Sequence, residues 1–292
     1  MIDLHTHILH GMDDGARSLT QSLEMVRIGY RDGVRTMVAT PHTLNGIYQN
    51  DRETILAKVQ ELNNALKKCG TRNAERGIQN LESKNFFYSH SAINNPQSNE
   101  SLCSNSAIRN PHSAIPMKIL PGADVHFCKE ILFQLEQGNV TTVGDGGTYL
   151  FVEFPPQGIP YRAEELLFQL LAKGIRPIIS HPERNLEIRQ RPLRYYEMIR
   201  MGCLGQVTAM SLTGDFGPRV KRLAEKLLTS RLVHFIASDA HSRHKRPPIV
   251  SAAVSAAKKI VGQEEAQRMV TEYPQAVLDG RRPDVLEPIP PR

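Results

Sequence analysis

The sequence predicts an α/β fold built on a parallel sheet, either closed into a barrel or doubly wound. Three observations predict it. Seven short apolar segments recur along the chain, helix-like stretches separate most of them, and the segments are apolar throughout rather than alternating. Alternating strands and helices imply parallel pairing with right-handed crossovers, and near-continuous apolar strands imply that both sheet faces are covered. The segments are Met1 to Leu4, Thr36 to Thr40, Lys118 to Gly122, Tyr149 to Phe154, Arg176 to Ser180, Leu204 to Thr208 and Val233 to Ser238. The first helix places Leu19, Leu23, Val26 and Tyr30 on one face, with a Ser18/Gln21 capping box before it and Gly33 after it. A second gathers Ile55, Val59, Leu62 and Leu66 and stops at Gly70; a third gathers Leu166, Leu167, Leu170 and Leu171 before Gly174.

Residues Thr71 to Pro116 break this pattern. They are rich in Ser and Asn, lack helical periodicity and repeat themselves loosely, with Ser91-Ala-Ile-Asn-Asn-Pro96 echoed by Ser106-Ala-Ile-Arg-Asn-Pro111 and by Ser113-Ala-Ile-Pro116. A structureless stretch of this length is unusual inside a compact domain, so a flexible surface insertion is expected over 71–116.

Composition excludes several classes. With 292 residues, 40% of them hydrophobic, the chain can bury a substantial core. The net charge of +6 suits an anionic substrate, but the basic residues are scattered among 30 acids, which argues against nucleic acid as a partner. Cys69, Cys103, Cys128 and Cys203 show no CxxC spacing and read as reduced thiols. No apolar run approaches the roughly 18 residues of a membrane span, and the first ten residues carry Asp3, His5, His7 and His10, unlike a secretion signal. A cytoplasmic protein without membrane insertion is expected.

The chemistry-bearing residues cluster at segment ends. His5 and His7 close the first segment, and His42, Asp124, Glu153, His181, Asp239 and His241 fall at or within a few residues of the ends of later ones. A single histidine at a strand end is more often a structural residue. Two at i and i+2 on an extended strand point to the same face and can grip one ion, and Asp239 and His241 repeat that spacing at the last segment. Histidine with carboxylate suits borderline or hard divalent ions such as Mn, Fe and Zn, whereas the absence of clustered Cys argues against a structural zinc site.

These motifs carry a resemblance. Ile2-Asp-Leu-His-Thr-His7, Asp13-Asp-Gly15, Ala39-Thr-Pro-His42, Gly122-Ala-Asp124, Val152-Glu-Phe154, Ile179-Ser-His-Pro-Glu-Arg184 and Ile236-Ala-Ser-Asp-Ala-His241 resemble the successive motifs of the polymerase and histidinol phosphatase (PHP) superfamily. Within it, Asp13-Asp-Gly15, His181 to Arg184 and Arg246-Pro-Pro248 resemble bacterial manganese-dependent protein-tyrosine phosphatases of capsule and exopolysaccharide clusters. The match spans nearly the whole chain outside 71–116, so 1–292 is expected to be a single catalytic domain of this type. The resemblance implies a distorted seven-stranded (β/α) barrel of the TIM-like kind, with three divalent ions, Mn before Fe or Zn, at the carboxyl ends of its strands. One ion would take His5, His7, Asp124 and Asp239; a second Asp124, Glu153 and His181; a third Asp14, His42 and His241. Asp124 stands where the family more often has Glu.

The implied reaction is hydrolysis of a phosphomonoester by metal-activated hydroxide, the ions neutralising the equatorial oxygens of the phosphoryl group in flight. Arg184 and Arg246 would clamp the phosphate with bidentate contacts, and Asp14 or a metal-ligated water would deliver a proton. A phenolate departs more readily than an alkoxide, so phosphotyrosine needs less acid assistance. The expected partner is a phosphotyrosine protein, a tyrosine autokinase or related regulator of polysaccharide assembly. The alternatives are a small-molecule phosphatase such as one for histidinol phosphate, and a noncatalytic metal-binding module.

Cys103-Ser-Asn-Ser-Ala-Ile-Arg109 has the C-x5-R spacing of cysteine-dependent tyrosine phosphatases. It has no glycine and no strand or helix beside it to form the phosphate loop, so it carries no expectation of catalysis. His10 reads as loop surface and His90 and His112 belong to the insertion, while His126 shares a face with Asp124 without a family role. His234 reads as a satisfied core or edge residue, and Gly144-Asp-Gly-Gly147 as a turn.

Overall fold

A computed structural model describes residues 1–71 and 115–291. The Cys103 to Arg109 motif, His90 and His112 lie outside the described residues. Contacts group Met1–Asn63 with Pro116–Arg292 as one compact unit and Asn64–Ile115 as a second; the first is described below. Its strands are β1 Ile2–Thr6, β2 Thr36–Ala39, β3 His42–Thr43, β4 Lys118–Pro121, β5 Asp124–His126, β6 Tyr149–Glu153, β7 Arg176–Ser180, β8 Leu204–Thr208 and β9 Phe235–Ala237. The helices are α1 Leu19–Arg31, α2 Arg52–Thr71, α3 Ile131–Glu136, α4 Ala163–Ala172, α5 Leu186–Gln190, α6 Pro192–Met201, α7 Ala209–Thr213, α8 Pro218–Thr229, α9 Ser251–Val261, α10 Gln263–Arg268 and α11 Glu272–Leu278. No helix among the described residues is long and apolar enough to cross a membrane.

Among the described residues all strand pairs are parallel, and they form two sheets: β1-β2-β4, and β3-β5-β6-β7-β8-β9. Each of the seven apolar segments is a strand. The two additional strands arise where the second and third segments break and resume, β2 at His42 as β3 and β4 at Asp124 as β5. The ladder bonds therefore define two sheets rather than one of seven strands. A parallel bridge, Thr6 to Ala240, and the bonds Asp239 N to His5 O (2.9 Å) and His7 N to Ala240 O (2.8 Å) tie the end of β1 to the end of β9.

Every residue of β8, and all of β6 except Glu153, is buried. That lack of alternation is what burial on both faces requires. In α1, Ser18 Oγ accepts from Gln21 N at 3.3 Å, but Gln21 Oε1 accepts from Arg17 N rather than from Ser18 N. The return arm of the capping box thus lands one residue early, and Gly33 ends the turn with φ +95°. In α2, Ile55, Val59 and Leu62 are buried, and in α4 Leu166, Leu167 and Leu170, the faces the periodicity predicts.

Candidate metal centre

The carboxyl ends of the strands meet in one polar cluster. His5, in β1, and His7, just after it, lie on one face, their Nε2 atoms 3.2 Å apart. Two nitrogens held about 2.1 Å from one ion stand roughly 3.0–3.4 Å apart, depending on the angle between them, so the pair is set for a shared cation. Asp124, from β5, reaches His5 Nε2 at 3.5 Å, His42 Nδ1 at 3.6 Å and His181 Nε2 at 3.9 Å with its Oδ2. Glu153, at the end of β6, lies 3.4 Å from both His42 and His181. Asp239 Oδ1, just after β9, lies 3.6 Å from His5, 3.4 Å from His7 and 3.5 Å from His241. Asp14 Oδ1 lies 3.7 Å from His42 and 3.5 Å from His241 and is more than half exposed.

Three groups have donor atoms within 4.8 Å of one another: His7, Asp14, His42 and His241; His5, His7 and Asp124; and His42, Asp124 and Glu153. They contain seven of the nine expected ligands, and His181 and Asp239 lie against them at the distances above. The partition differs from the expected sets at two rings. His7 also joins the Asp14 group, and His42 also faces Asp124 and Glu153.

Residues and chemistry fit divalent cations. Asp124 Oδ2 and His42 Nδ1 are buried with no hydrogen-bond partner among the described residues, an arrangement that costs free energy and that a bound cation would relieve at both atoms. Five carboxylates, Asp13, Asp14, Asp124, Glu153 and Asp239, face two guanidiniums, Arg184 and Arg246. Burial opposes protonation of His7, but Asp13 and then Asp239 outweigh it and push the ring up to about 10. Burial also works against the charge of Asp239, yet His5, His7 and Arg246 hold it well below the usual carboxylate range. Burial dominates at His5, pushed down to about 4. The cluster demands positive charge, which either protons or cations can supply.

Hydrogen bonds from behind orient the rings. His7 Nδ1 donates to Asp13 Oδ2 at 2.6 Å, and Asp13 also accepts from His42 N and Gly15 N. His5 Nδ1 donates to Gln206 Oε1 at 3.1 Å. Each bond turns Nε2 of its ring, with its lone pair, into the cluster. Gly15 follows from the same packing, because a Cβ there would stand 2.1 Å from His7 O. Asp239 (φ +51°) and His181 (φ +34°) occupy the left-handed region, at a cost of about 1–2 kcal/mol each. Asp3 holds the first turn by accepting from Ser238 N at 2.9 Å and Ser238 Oγ at 2.5 Å. Glu183 steadies the second by accepting from Thr208 N and Ser211 Oγ. Asp3 and Gln206 were visible as polar residues inside apolar strands; Asp13 and Glu183 were visible only as motif neighbours.

Arg184 Nη1 and Arg246 Nη2 converge on Asp239 Oδ2, at 2.8 and 2.5 Å. Arg246 Nε is buried without a partner among the described residues, so the pair retains donors for an anion. Of the other described histidines, His10 and His234 stand apart from the cluster and His126 borders it at Glu153. His10 lies 3.1 Å from Lys58 and 3.5 Å from Glu61, and His126 Nδ1 lies 3.8 Å from Glu153. His234 Nδ1 accepts from Gly205 N at 3.0 Å, a satisfied core residue. Gly144-Asp-Gly-Gly147 is a turn, with Asp145 in a two-bond contact to Arg52.

Fold and cluster define the class: parallel α/β proteins that gather imidazoles and carboxylates at the strand ends. The chain belongs to the capsular polysaccharide synthesis family CpsB/CapC, whose profile matches residues 1–105 and 71–279. It is 32% identical to the tyrosine-protein phosphatase YwqE of Bacillus subtilis over 278 residues, covering 95% of this chain and 91% of that protein. It is 26% identical to the tyrosine-protein phosphatase CpsB of Streptococcus agalactiae serotype III over 283 residues, 95% of this chain and 98% of that one. It also superposes, with a TM-score of 0.81, 31% identity and full coverage of both chains, on a structure from work on YwqE from B. subtilis and CpsB from Streptococcus pneumoniae, described as metal-dependent tyrosine phosphatases.

Proposed function

We propose that this chain is a metal-dependent protein-tyrosine phosphatase acting on a tyrosine autokinase or related regulator of capsule or exopolysaccharide synthesis. The observation that carries the reading is the meeting of nine ligand-type side chains, two of them with orphaned buried atoms, beside two arginines that converge on one carboxylate. The names of the relatives point the same way. The expected sets of His5, His7, Asp124 and Asp239, of Asp124, Glu153 and His181, and of Asp14, His42 and His241 would hold three ions, with Mn the preferred metal. Barrel closure is part of this reading, supported by the Thr6 to Ala240 bridge. Divalent ions bound here would neutralise charge on the phosphoryl oxygens and lower the pKa of an attacking water.

The chain's own residues do the rest. Arg184 and Arg246 grip the non-bridging oxygens with planar forks. Asp239 holds both guanidiniums at the cluster until phosphate arrives. Asp14, the most exposed of these carboxylates, stands at the solvent side, where it can accept a hydrogen bond from a water that passes its proton to the departing oxygen. A phenolate needs little such help, which favours an aryl ester.

The test is hydrolysis of phosphotyrosine peptides, phosphoserine peptides and histidinol phosphate with Mn, Fe or Zn added, and with chelator. Turnover of phosphotyrosine that requires the metal is expected. Turnover of histidinol phosphate alone would overturn the tyrosine assignment.

A further inference from the structure

Phe216 sits in the turn between α7 and α8, half-buried, with both arginines over its ring. The guanidinium carbon of Arg184 is 5.3 Å from the ring centroid and that of Arg246 is 5.8 Å. Hydrogen bonds close the turn on both sides of the ring. Gly214 (φ +97°) and Gly217 (φ +89°) flank it, Gly217 N donates to Gly214 O at 2.9 Å, Asp215 N donates to Met210 O at 3.0 Å, and Thr213 Oγ1 donates to Asp215. Glu183, next to Arg184 in sequence, bonds Ser211 of α7 and so ties the arginine's turn to the element that presents the ring.

Two like charges converging on one oxygen repel each other, and each guanidinium keeps rotational freedom about its long side chain. An aromatic face beneath both removes that freedom and attracts both charges. A ring left half-exposed beside a phosphate clamp also offers an edge-to-face aromatic contact that no ion, arginine or aliphatic side chain can supply. We infer that Phe216 is a positioning and specificity residue, holding Arg184 and Arg246 as one phosphate fork and meeting the aryl group of the ester with its open edge. This deepens, and rests on, the phosphotyrosine reading above. Offset or edge-to-face contact with a phenol ring would favour aryl over alkyl phosphates.

The test measures binding to the Mn-loaded full chain by calorimetry, using inorganic phosphate, methylphosphonate and phenylphosphonate, so that leaving-group chemistry plays no part. Phe216→Ala should weaken phosphate binding by about tenfold, the sum of two exposed cation–π contacts. It should also abolish the wild-type preference for phenyl over methyl. With a phosphotyrosine peptide, KM should rise more than kcat falls. Phe216→Leu keeps apolar volume and should show the same losses, whereas Phe216→Trp should retain both properties, so the assignment stays testable even if the alanine variant does not fold. Unchanged phosphate affinity in the leucine variant, or a phenyl preference that survives there, would overturn it. A wild-type protein that shows the Phe216-dependent preference but hydrolyses no phosphotyrosine peptide would instead overturn the phosphatase reading.

Discussion

Two buried histidines at opposite ends of the strands look alike in sequence and do different things. His5 closes β1 at its carboxyl end; His234 precedes β9 at its amino end. Both sit in apolar runs, and burial pushes both rings down, His5 to about 4 and His234 to about 3. At His234 burial is the only influence, and its Nδ1 is satisfied by one backbone N–H. At His5 two carboxylates, Asp124 and Asp239, pull the other way from 3.5 and 3.6 Å, and Gln206 fixes the ring from behind. Burial makes a neutral histidine; convergence of carboxylates on its free nitrogen makes a candidate ligand.

The contrast breaks most visibly at Asp124, whose Oδ2 reaches three of the rings. Asp124→Ala should lower kcat/KM for a phosphotyrosine peptide by about a thousandfold, the several kcal/mol that metal-borne charge stabilisation supplies. Steady-state kinetics over a Mn titration would check it, and near-normal kcat/KM at saturating Mn would remove Asp124 from the centre. A smaller loss is expected behind the rings. Asp13→Ala and Gln206→Ala leave all nine proposed ligand positions intact but free His7 and His5 to turn, and metal affinity should fall about 10–100-fold in each. Competition with a chelating dye reads this directly, and unchanged affinity would mean that packing alone orients the imidazoles.

How much of this was legible beforehand follows the same physics. The apolar runs marked seven strands because burial on both faces leaves a continuous hydrophobic signature, and the candidate ligands were visible because polar residues at the ends of such runs interrupt it. β3 and β5 were not legible as strands, since two or three residues show no period, although His42 and Asp124 themselves were noted. Gln206 carries a sign that could have been followed, an amide within a wholly buried strand. Phe216 carries none. An aromatic between two glycines reads as loop surface until the arginines, distant in sequence, are seen above it.

His234 carries the smallest expected effect. Its folded-state pKa lies near 3, below the ordinary value of 6.5 expected in the unfolded chain. Above pH 6.5 neither state is protonated and the packing contribution is complete. As pH falls below 6.5 the unfolded chain takes up a proton that the folded protein refuses, so stability declines by up to about 1.4 kcal/mol per pH unit until the folded value is reached. His234→Asn keeps an acceptor for Gly205 N–H and does not titrate. Between pH 7 and pH 5 the wild type should therefore lose about 2 kcal/mol more stability than the variant, read from urea unfolding midpoints, while phosphatase activity at pH 7 stays the same. Equal losses in the two proteins would mean that His234 takes up a proton in the folded state as readily as in the unfolded one, and that the contrast with His5 does not rest on burial.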